Sequence, residues 1–304
     1  MTDDSRRHPF RHSHQDVEAA DRIPDTPQTR APAYRLAFTD AEFMCREELR
    51  PVRLQLELLK PQMIMDERGV ESTVVIMGSA RIPDPEGASE GKPKGLRGMA
   101  PWYAEARKLA QLVTEKSLAE YGREFVVVTG GGPGIMEAGN RGADDVGGQS
   151  IGLNIVLPHE QAPNPYVTPD LCFNFHYFAV RKMHFLMRAR AICIFPGGFG
   201  TLDEMFESLT LIQTGRMKPV PFLLFGRDFW ESVINWQALA EAGTISARDL
   251  DLFRYVDTAE EAVDHLPRGK RAQASGDWPK AAGLNGHGRP ALWDRGRKIA
   301  PPSR

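Results

Sequence analysis

The sequence of 304 residues lacks a strong excess of charge of one sign and lacks long apolar runs. Its 38 Lys and Arg residues against 40 Asp and Glu residues give a net charge of -2, which argues against the markedly basic surface of a nucleic-acid-binding domain. The longest apolar runs, such as residues 191–195, have about five residues, whereas a membrane-spanning helix needs roughly 20. We therefore expect neither a nucleic-acid partner nor a membrane span.

Cysteines and metal-ligand motifs are also scarce. The chain has three cysteines, Cys45, Cys172 and Cys193, an odd and widely spaced set that does not suit a disulfide framework. The N-terminal residues lack the apolar stretch of a signal peptide, and residues 73–266 show no spacing of His, Cys, Asp and Glu that is typical of a metal site. These features predict a cytoplasmic protein without a metal centre.

The near-zero charge hides an uneven distribution along the chain. Residues 1–33 carry a net charge of -1 and residues 267–304 carry +7, so the residues between them carry -8. Both end segments are rich in Pro, Gly, Ser and Arg and have no apolar periodicity, which predicts disordered tails, the C-terminal one basic. Between the tails we expect a helical extension at 34–72 and a folded domain at 73–266.

The extension contains helical spacing of apolar residues from Asp40 to Lys60. Pro51 lies inside this segment and is expected to kink or break the helix. Because the segment precedes the first predicted strand, we interpret it as an accessory element or as a contact between subunits.

From residue 73 onward, short apolar runs alternate with helical patterns. Strands are predicted at 74–77, 125–129, 150–156, 191–195, 220–225 and 253–256, and helices at 100–121, 135–146, 178–190, 201–214, 228–242 and 258–266. Regular alternation of this kind indicates parallel strands joined by right-handed crossovers. The predicted fold is therefore an α/β, Rossmann-like, doubly wound and mostly parallel sheet with helices on both faces. Such sheets bind ligands at the carboxyl ends of their strands.

Three predicted strand ends run into glycine-containing turns. Residues 78–81 (GSAR) offer a hydroxyl and a guanidinium, although Gly-Ser is also ordinary turn chemistry. Residues 129–138 (TGGGPGIMEA) and 195–204 (FPGGFGTLDE) each pass from a strand through glycines into a helix. Backbone N–H groups and the positive end of the helix dipole favour phosphate at such helix starts. The loop at 129–138 has neither the dinucleotide nor the Walker lysine spacing, so phosphate binding there need not mean NAD or ATP.

Two groups of residues near these turns have alternative interpretations. Thr201 and Glu204 have the spacing of a helix capping box, which gives Glu204 a structural role as an alternative to a catalytic one. Arg181, His184 and Arg188 form a polar stripe on an otherwise apolar helix. The preceding aromatic segment 173–178 suits either core packing or contact with a planar base.

Three strings together carry a family resemblance: residues 130–138 (GGGPGIMEA), the pair Arg181-Lys182, and residues 196–204 (PGGFGTLDE). They resemble the signature of the LOG (lonely guy) family of cytokinin riboside 5'-monophosphate phosphoribohydrolases, which were often mislabelled lysine decarboxylases. The resemblance covers residues 73–266. The GGGPGIMEA form and the helical extension are similar to the longer bacterial members.

The resemblance implies hydrolysis of the N-glycosidic bond of purine nucleoside 5'-monophosphates, with adenine or N6-modified adenine as base. Arg181 and Glu204 would be the catalytic pair. The implied substrate-binding residues are Gly78, Ser79, Arg81, Gly131, Gly132, Gly134, Glu137, Lys182, Gly197, Gly198, Gly200 and Thr201. The family pattern also implies no cofactor and a homo-oligomer. A nucleotide sensor with little turnover is one alternative, and a decarboxylase with a pyridoxal phosphate lysine, for which Lys182 is the candidate, is another.

Overall fold

A computed structural model describes residues 10–87, 93–158 and 162–269. At its centre is a sheet of seven parallel strands in the order β4-β3-β2-β1-β5-β6-β7. The strands are β1 Thr73–Met77, β2 Val126–Thr129, β3 Ser150–Ile155, β4 Cys172–Phe175, β5 Ala189–Ile194, β6 Phe222–Phe225 and β7 Arg254–Val256. This topology confirms the predicted Rossmann-like, doubly wound fold.

Twelve α-helices accompany the sheet within the described residues. They are α1 Ser13–Ala20, α2 Pro27–Arg30, α3 Ala41–Met44, α4 Arg50–Glu67, α5 Lys94–Gly98, α6 Ala100–Ala119, α7 Ile135–Asp145, α8 Phe178–Met187, α9 Phe199–Gln213, α10 Arg227–Val233, α11 Trp236–Glu241 and α12 Ala259–Asp264. None of them is long and apolar enough to span a membrane.

The central strand β1 is buried along its whole length because both faces of the sheet are covered. Val75 and Met77 pack into a core that also contains residues of α8 and α9. Val74 and Ile76 point to the other face and pack with residues of α6, α7 and α12. The alternation of side chains along one strand therefore divides the apolar core into two layers, one on each side of the sheet.

Hydrogen bonds and an ion pair join α4, the long helix of the extension, to α8. The carboxylate of Glu57 accepts hydrogen bonds from the backbone N–H groups of His176 (2.8 Å) and Tyr177 (3.1 Å), just before α8 begins. Further along, Arg188 pairs with Asp66 at 2.7 Å. Charged and polar groups thus attach α4 at both ends of α8. Pro51 lies in the first turn of α4, where its missing N–H is not needed, so α4 begins there.

Two features of the sheet domain differ from the sequence expectations. The segment 172–175 forms the edge strand β4, whereas its aromatic run did not suggest a strand. The helix predicted at 228–242 is two helices, α10 and α11, because the chain becomes extended at Ile234 and Asn235 caps the second helix by accepting from the N–H of Ala238.

The segments predicted to be tails are only partly described. Residues 13–20 and 27–30 form α1 and α2, neither of which has a buried residue. Most of the predicted C-terminal tail, residues 270–304, lies outside the described residues. The division of the chain into tails, extension and sheet domain therefore stays a prediction.

Candidate functional site

A cavity of about 820 Å³ opens at the carboxyl edge of the sheet, where the strand order reverses beside β1. The ends of β1, β2, β3 and β4 and the start of α9 surround it. Its glycine and polar lining residues are Gly78, Ser79, Arg81, Gly130, Gly132, Asn154, Cys172, Asn174, Arg181, Gly197, Gly198, Gly200, Thr201 and Glu204. The sheet thus brings together residues that are more than 120 positions apart in the sequence.

Apolar side chains form a large part of the cavity wall. Phe173 on β4 and Phe229 on α10 contribute aromatic rings, and Ile155 lies at the end of β3. At the mouth, Phe199 is 93% exposed although its side chain is entirely apolar. The cavity therefore offers both a polar floor and an apolar wall, the mixture that is typical of sites for small organic ligands.

Arg181 and Glu204 form an ion pair inside the cavity. Nη1 of Arg181 donates to Oε1 of Glu204 at 3.0 Å, and the two side chains are only 10% and 14% exposed. Nε of Arg181 donates to the carbonyl of Leu153 on β3 at 2.7 Å, and its guanidinium carbon lies 5.0 Å from the centre of the Phe185 ring. The guanidinium is therefore held by a strand carbonyl, an aromatic face and a carboxylate at once.

Burial dominates the electrostatics of this pair. The pKa of Glu204 is raised because burial penalises its charged form more than Arg181 favours it, and the pKa of Arg181 is lowered by its own burial. A cation beside a carboxylate lowers the pKa of that carboxylate. Arg181 acts in that direction, but the net direction is the opposite one. A carboxylate with a raised pKa is a better proton acceptor near neutral pH.

Glu204 is not a capping residue. A capping box requires Thr201 to be the N-cap, but α9 begins at Phe199 with Gly198 as N-cap, so Thr201 already lies in the first turn. Glu204 lies further along the helix, and its carboxylate accepts a hydrogen bond from Arg181. The capping interpretation of Thr201 and Glu204 is therefore wrong.

The two predicted helix starts differ in accessibility. At α7, the N–H of Ile135 donates to the carbonyl of Ser79 at 3.2 Å, and a Cβ on Gly134 would lie 2.5 Å from that oxygen. The Ser79 carbonyl therefore occupies the first N–H group of α7. At α9, the first helical hydrogen bond runs from Leu202 to Gly198, and Gly200 has open space where a side chain would be. The start of α9 is thus the more open of the two.

The glycine turn after β2 packs closely against the ion pair. A Cβ on Gly130 would lie 2.5 Å from Nη2 of Arg181, so only glycine leaves room for the guanidinium there. Gly131 has a positive φ of 71° and its Cβ position would lie 2.4 Å from Oδ1 of Asn154. These contacts give the turn a structural part in shaping the cavity.

Buried amide side chains hold this turn in place. Nδ2 of Asn164 lies 3.1 and 3.0 Å from the carbonyl oxygens of Gly131 and Gly132 and 2.9 Å from Oδ1 of Asn140, so its two hydrogens are shared among three acceptors. Asn140 in turn accepts from the hydroxyl of Thr129 at 2.6 Å. Sequence reasoning missed Asn140, Asn154 and Asn164, because isolated asparagines carry no spacing signal. Their part becomes visible only when the fold brings β2, α7 and the chain after β3 together.

Most of the residues singled out in the sequence line one cavity, and four do not. Gly131 and Gly134 shape the turn beside it, and Glu137 accepts a hydrogen bond from the hydroxyl of Tyr103 at 2.9 Å. Lys182 points outward, where its ammonium pairs with Glu207 at 2.6 Å and with Asp203 at 3.2 Å. These four residues have local structural partners in place of a position on the cavity wall.

The predicted cationic stripe of α8 is divided between two environments. Arg181 enters the cavity, whereas Nε2 of His184 lies 3.2 Å from the carbonyl of Glu57 and Arg188 pairs with Asp66. His184 and Arg188 therefore attach α4 and do not face the cavity. The aromatic segment 173–178 is divided likewise, since Phe173 lines the cavity and Phe175 is buried against His184.

The sheet, its switch point and the glycine-lined cavity define a Rossmann-like α/β protein with a candidate ligand site at the carboxyl edge. A family model described as "possible lysine decarboxylase" matches residues 136–266. The chain is 28% identical over 174 residues to a probable cytokinin riboside 5'-monophosphate phosphoribohydrolase of Oryza sativa subsp. japonica, covering 56% of this chain and 72% of that protein. It is 29% identical over 149 residues to a cytokinin riboside 5'-monophosphate phosphoribohydrolase of Arabidopsis thaliana, covering 47% and 67%.

Among solved structures, the molybdenum cofactor binding protein of Rippkaea orientalis aligns with a TM-score of 0.40 at 18% identity, covering 63% of this chain and 91% of that one. The family match and the curated relatives confirm the resemblance seen in the glycine and Arg-Lys motifs. Over these residues the chain is similar to the LOG family.

Proposed function

We propose that this protein hydrolyses the N-glycosidic bond of purine nucleoside 5'-monophosphates, releasing the free base and ribose 5-phosphate. The observation that carries the proposal is the buried Arg181–Glu204 pair, which lies in the same cavity as the open start of α9. The activity of the similar plant proteins, cytokinin riboside 5'-monophosphate phosphoribohydrolase, supports the same reaction.

The proposed phosphate position is the start of α9. Backbone N–H groups of its first turn and the helix dipole would receive the 5'-phosphate, with Gly197, Gly198, Gly200 and Thr201 around it. Gly78, Ser79 and Arg81 lie on the neighbouring wall and would contact the remaining phosphate and ribose oxygens. Local binding of this kind is needed, because the net charge of the chain between the tails is negative and repels anions.

Glu204 is placed to act on the ribose. It follows Phe199 by five residues, so it lies about 7 Å along the helix axis from the proposed phosphate position. Cleavage of the glycosidic bond develops positive charge at the anomeric carbon, which a nearby carboxylate stabilises. The same carboxylate, with its raised pKa, can take a proton from the attacking water. Arg181 fixes the carboxylate and offers Nη2, which has no hydrogen-bond partner among the described residues, to ribose or phosphate oxygens.

The apolar wall is the proposed place of the base. Phe173 and Phe229 provide ring faces for a planar purine, and the exposed Phe199 at the mouth suits an apolar substituent on it. We therefore include N6-modified adenine, and with it cytokinin activation, among the proposed substrates. Product analysis across 5'-monophosphates of adenine, N6-modified adenine, guanine and pyrimidine bases decides the preferred base.

A decarboxylase that uses pyridoxal phosphate does not fit these residues. Such an enzyme needs a lysine amine inside the cavity to form a Schiff base. The described cavity wall includes no lysine, and Lys182 points away from it toward Asp203 and Glu207. The chain's own residues therefore favour hydrolysis over this alternative.

The substitution Glu204→Gln tests the proposal. It keeps the size of the side chain and removes the proton acceptor, so base release should fall at least a hundredfold while the nucleotide still binds. Base release is measured by chromatography and binding by calorimetry, with the wild type as reference. If wild type and variant both bind the nucleotide and neither releases base, the protein is a nucleotide sensor and the proposed reaction is wrong.

We also infer that the protein forms a homo-oligomer through α4 and α8. These adjacent helices each expose large apolar side chains: Val52, Leu56, Leu59 and Met63 on α4, and Phe178, Met183 and Met187 on α8. Exposed apolar surface of this extent is typical of an interface. The double substitution Leu56→Glu and Met183→Glu should convert the oligomer to monomer in analytical ultracentrifugation. A monomeric wild type would refute the inference. The cytoplasmic location stays a prediction.

A further inference from the structure

We propose that Asn164 is a positioning residue for the Arg181–Glu204 pair. It acts through the glycine turn at residues 130–134, which contacts both Asn164 and Arg181. Asn164 is 7% exposed and its side chain is not part of the cavity wall, so it does not touch a ligand itself. The kinetic part of this inference rests on the proposed function, and the structural part does not.

The first step is the hydrogen bonding between Asn164 and the turn. Its Nδ2 lies 3.1 Å from the carbonyl oxygen of Gly131 and 3.0 Å from that of Gly132, and its backbone N–H donates to the Gly131 carbonyl at 2.8 Å. Two successive carbonyls of the turn are therefore fixed by one residue. A turn with several glycines has many accessible backbone conformations, and these bonds select one of them.

The second step leads from the turn to Arg181. The Cβ position of Gly130 lies 2.5 Å from Nη2 of Arg181, so the backbone of the turn is in direct contact with the guanidinium. On the next residue, the Cβ position of Gly131 lies 2.4 Å from Oδ1 of Asn154. The turn is confined on these sides, and any displacement of it changes the space that Arg181 occupies.

The third step shows that Asn164 belongs to a rigid framework. Its Nδ2 also donates to Oδ1 of Asn140 at 2.9 Å, and Asn140 donates to the hydroxyl of Ser150 at 3.0 Å. The hydroxyl of Thr129 donates to Asn140 at 2.6 Å. Asn164 thereby connects the turn to β2, β3 and α7. A fully bonded buried network of this kind specifies one arrangement, whereas a partly bonded one does not.

Loss of Asn164 should therefore loosen the contact between Nη1 of Arg181 and Oε1 of Glu204, now 3.0 Å. The charged groups that act on Glu204 are Arg181 and Lys182 of α8 and Asp203 of its own helix. Weakening the contribution of Arg181 leaves burial and Asp203 less opposed, so the proton affinity of Glu204 rises. This consequence distinguishes a positioning role from a purely structural one.

The test compares Asn164→Ala with Val113→Ala, a cavity-forming substitution in the core on the other face of the sheet. Asn164→Ala should lower kcat at least tenfold with KM changed less than threefold, because the phosphate is held by α9. It should also move the acidic limb of the kcat profile to higher pH. Val113→Ala should lower the unfolding midpoint and do neither. Equal effects of the two substitutions on kcat and on the limb would overturn the inference.

A second readout does not need turnover. In the wild type and in Asn164→Ala, the free energy of unfolding is measured against pH with and without the additional substitution Glu204→Gln. The difference between the two curves reports the proton affinity of Glu204 in the folded protein. Asn164→Ala should shift this difference curve to higher pH, and an unshifted curve overturns the inference even if the wild type cleaves no nucleotide. If Asn164→Ala does not fold, Asn164→Ser, which keeps one hydroxyl donor, should give a smaller shift in the same direction, and no shift overturns the inference.

Discussion

Removing the guanidinium of Arg181 should leave an unpaired carboxylate in the cavity wall. In Arg181→Met the side-chain stem remains to pack on Phe185, while Glu204 loses its partner at 3.0 Å and the carbonyl of Leu153 loses its donor at 2.7 Å. Breaking a buried ion pair by removing one member typically costs about 3–5 kcal/mol. We expect a loss of that size in the free energy of unfolding at pH 8.

The loss should be smaller in acid. Burial raises the pKa of Glu204 in the folded protein, so the folded state retains a proton at pH values where the unfolded chain has released it. The corresponding stability is fully present below the unfolded pKa of about 4.3 and is lost as pH rises through the folded value. Without Arg181 the folded pKa rises further. A larger fraction of Glu204 is therefore protonated at pH 5 than at pH 8, so the loss at pH 5 should be smaller and should approach the roughly 1–3 kcal/mol typical of one lost buried hydrogen bond, here the bond to the Leu153 carbonyl.

Urea denaturation at pH 5 and pH 8 measures both values for the wild type, Arg181→Met and Arg181→Met/Glu204→Gln. The double variant has no buried charge, so it should recover much of the stability lost at pH 8 and show little dependence on pH between these values. The reasoning is refuted if Arg181→Met loses equal stability at both pH values, or if Glu204→Gln does not rescue it.

Three further substitutions test single contacts. Gly130→Ala should reduce base release up to roughly a hundredfold and also lower the free energy of unfolding, because its Cβ would lie 2.5 Å from Nη2 of the guanidinium that Leu153 and Glu204 hold in place; Gly98→Ala, which has open space, is the control in the same assays, and equal activity of the two would contradict the expected displacement. Lys182→Met should keep kcat within about threefold, since this ammonium pairs with acidic residues outside the cavity; a loss comparable to that of Glu204→Gln would contradict its placement. Burial lowers the pKa of His184, so the free energy of unfolding of the wild type should fall as pH drops below about 6.5. In urea titrations between pH 7.5 and 5.5, the free energy of unfolding of His184→Gln should fall less. Identical slopes for the two proteins would show that His184 does not contribute to this pH dependence.

The fold was predictable because its strands are short, apolar and closed by glycine or proline. The strand at Thr73–Met77 is buried on both faces, and such strands are continuous apolar runs in the sequence. The edge strand Cys172–Phe175 was missed since its exposure alternates and its aromatic residues have other common roles. Pairing with β3, a tertiary contact, makes this segment a strand.

The site was predictable only to the extent that its residues lie in motifs. Glycine turns and the Arg-Lys pair mark the turns and helices that meet at the cavity, but they do not say which helix start is open. That difference depends on the Ser79 carbonyl, which accepts from the first N–H group of α7. Similarly, the sign of the pKa shift of Glu204 follows from its burial, a property of the folded protein that charge spacing in the sequence does not give.

Product analysis after incubation with adenosine 5'-monophosphate tests the central claim most directly. If the Arg181–Glu204 cavity cleaves the glycosidic bond, adenine and ribose 5-phosphate appear in equal amounts, and Glu204→Gln forms neither at a comparable rate. Release of adenosine and inorganic phosphate would show attack at phosphorus instead. Tight binding without any product, for this and every other 5'-monophosphate of the panel, would contradict the hydrolase assignment.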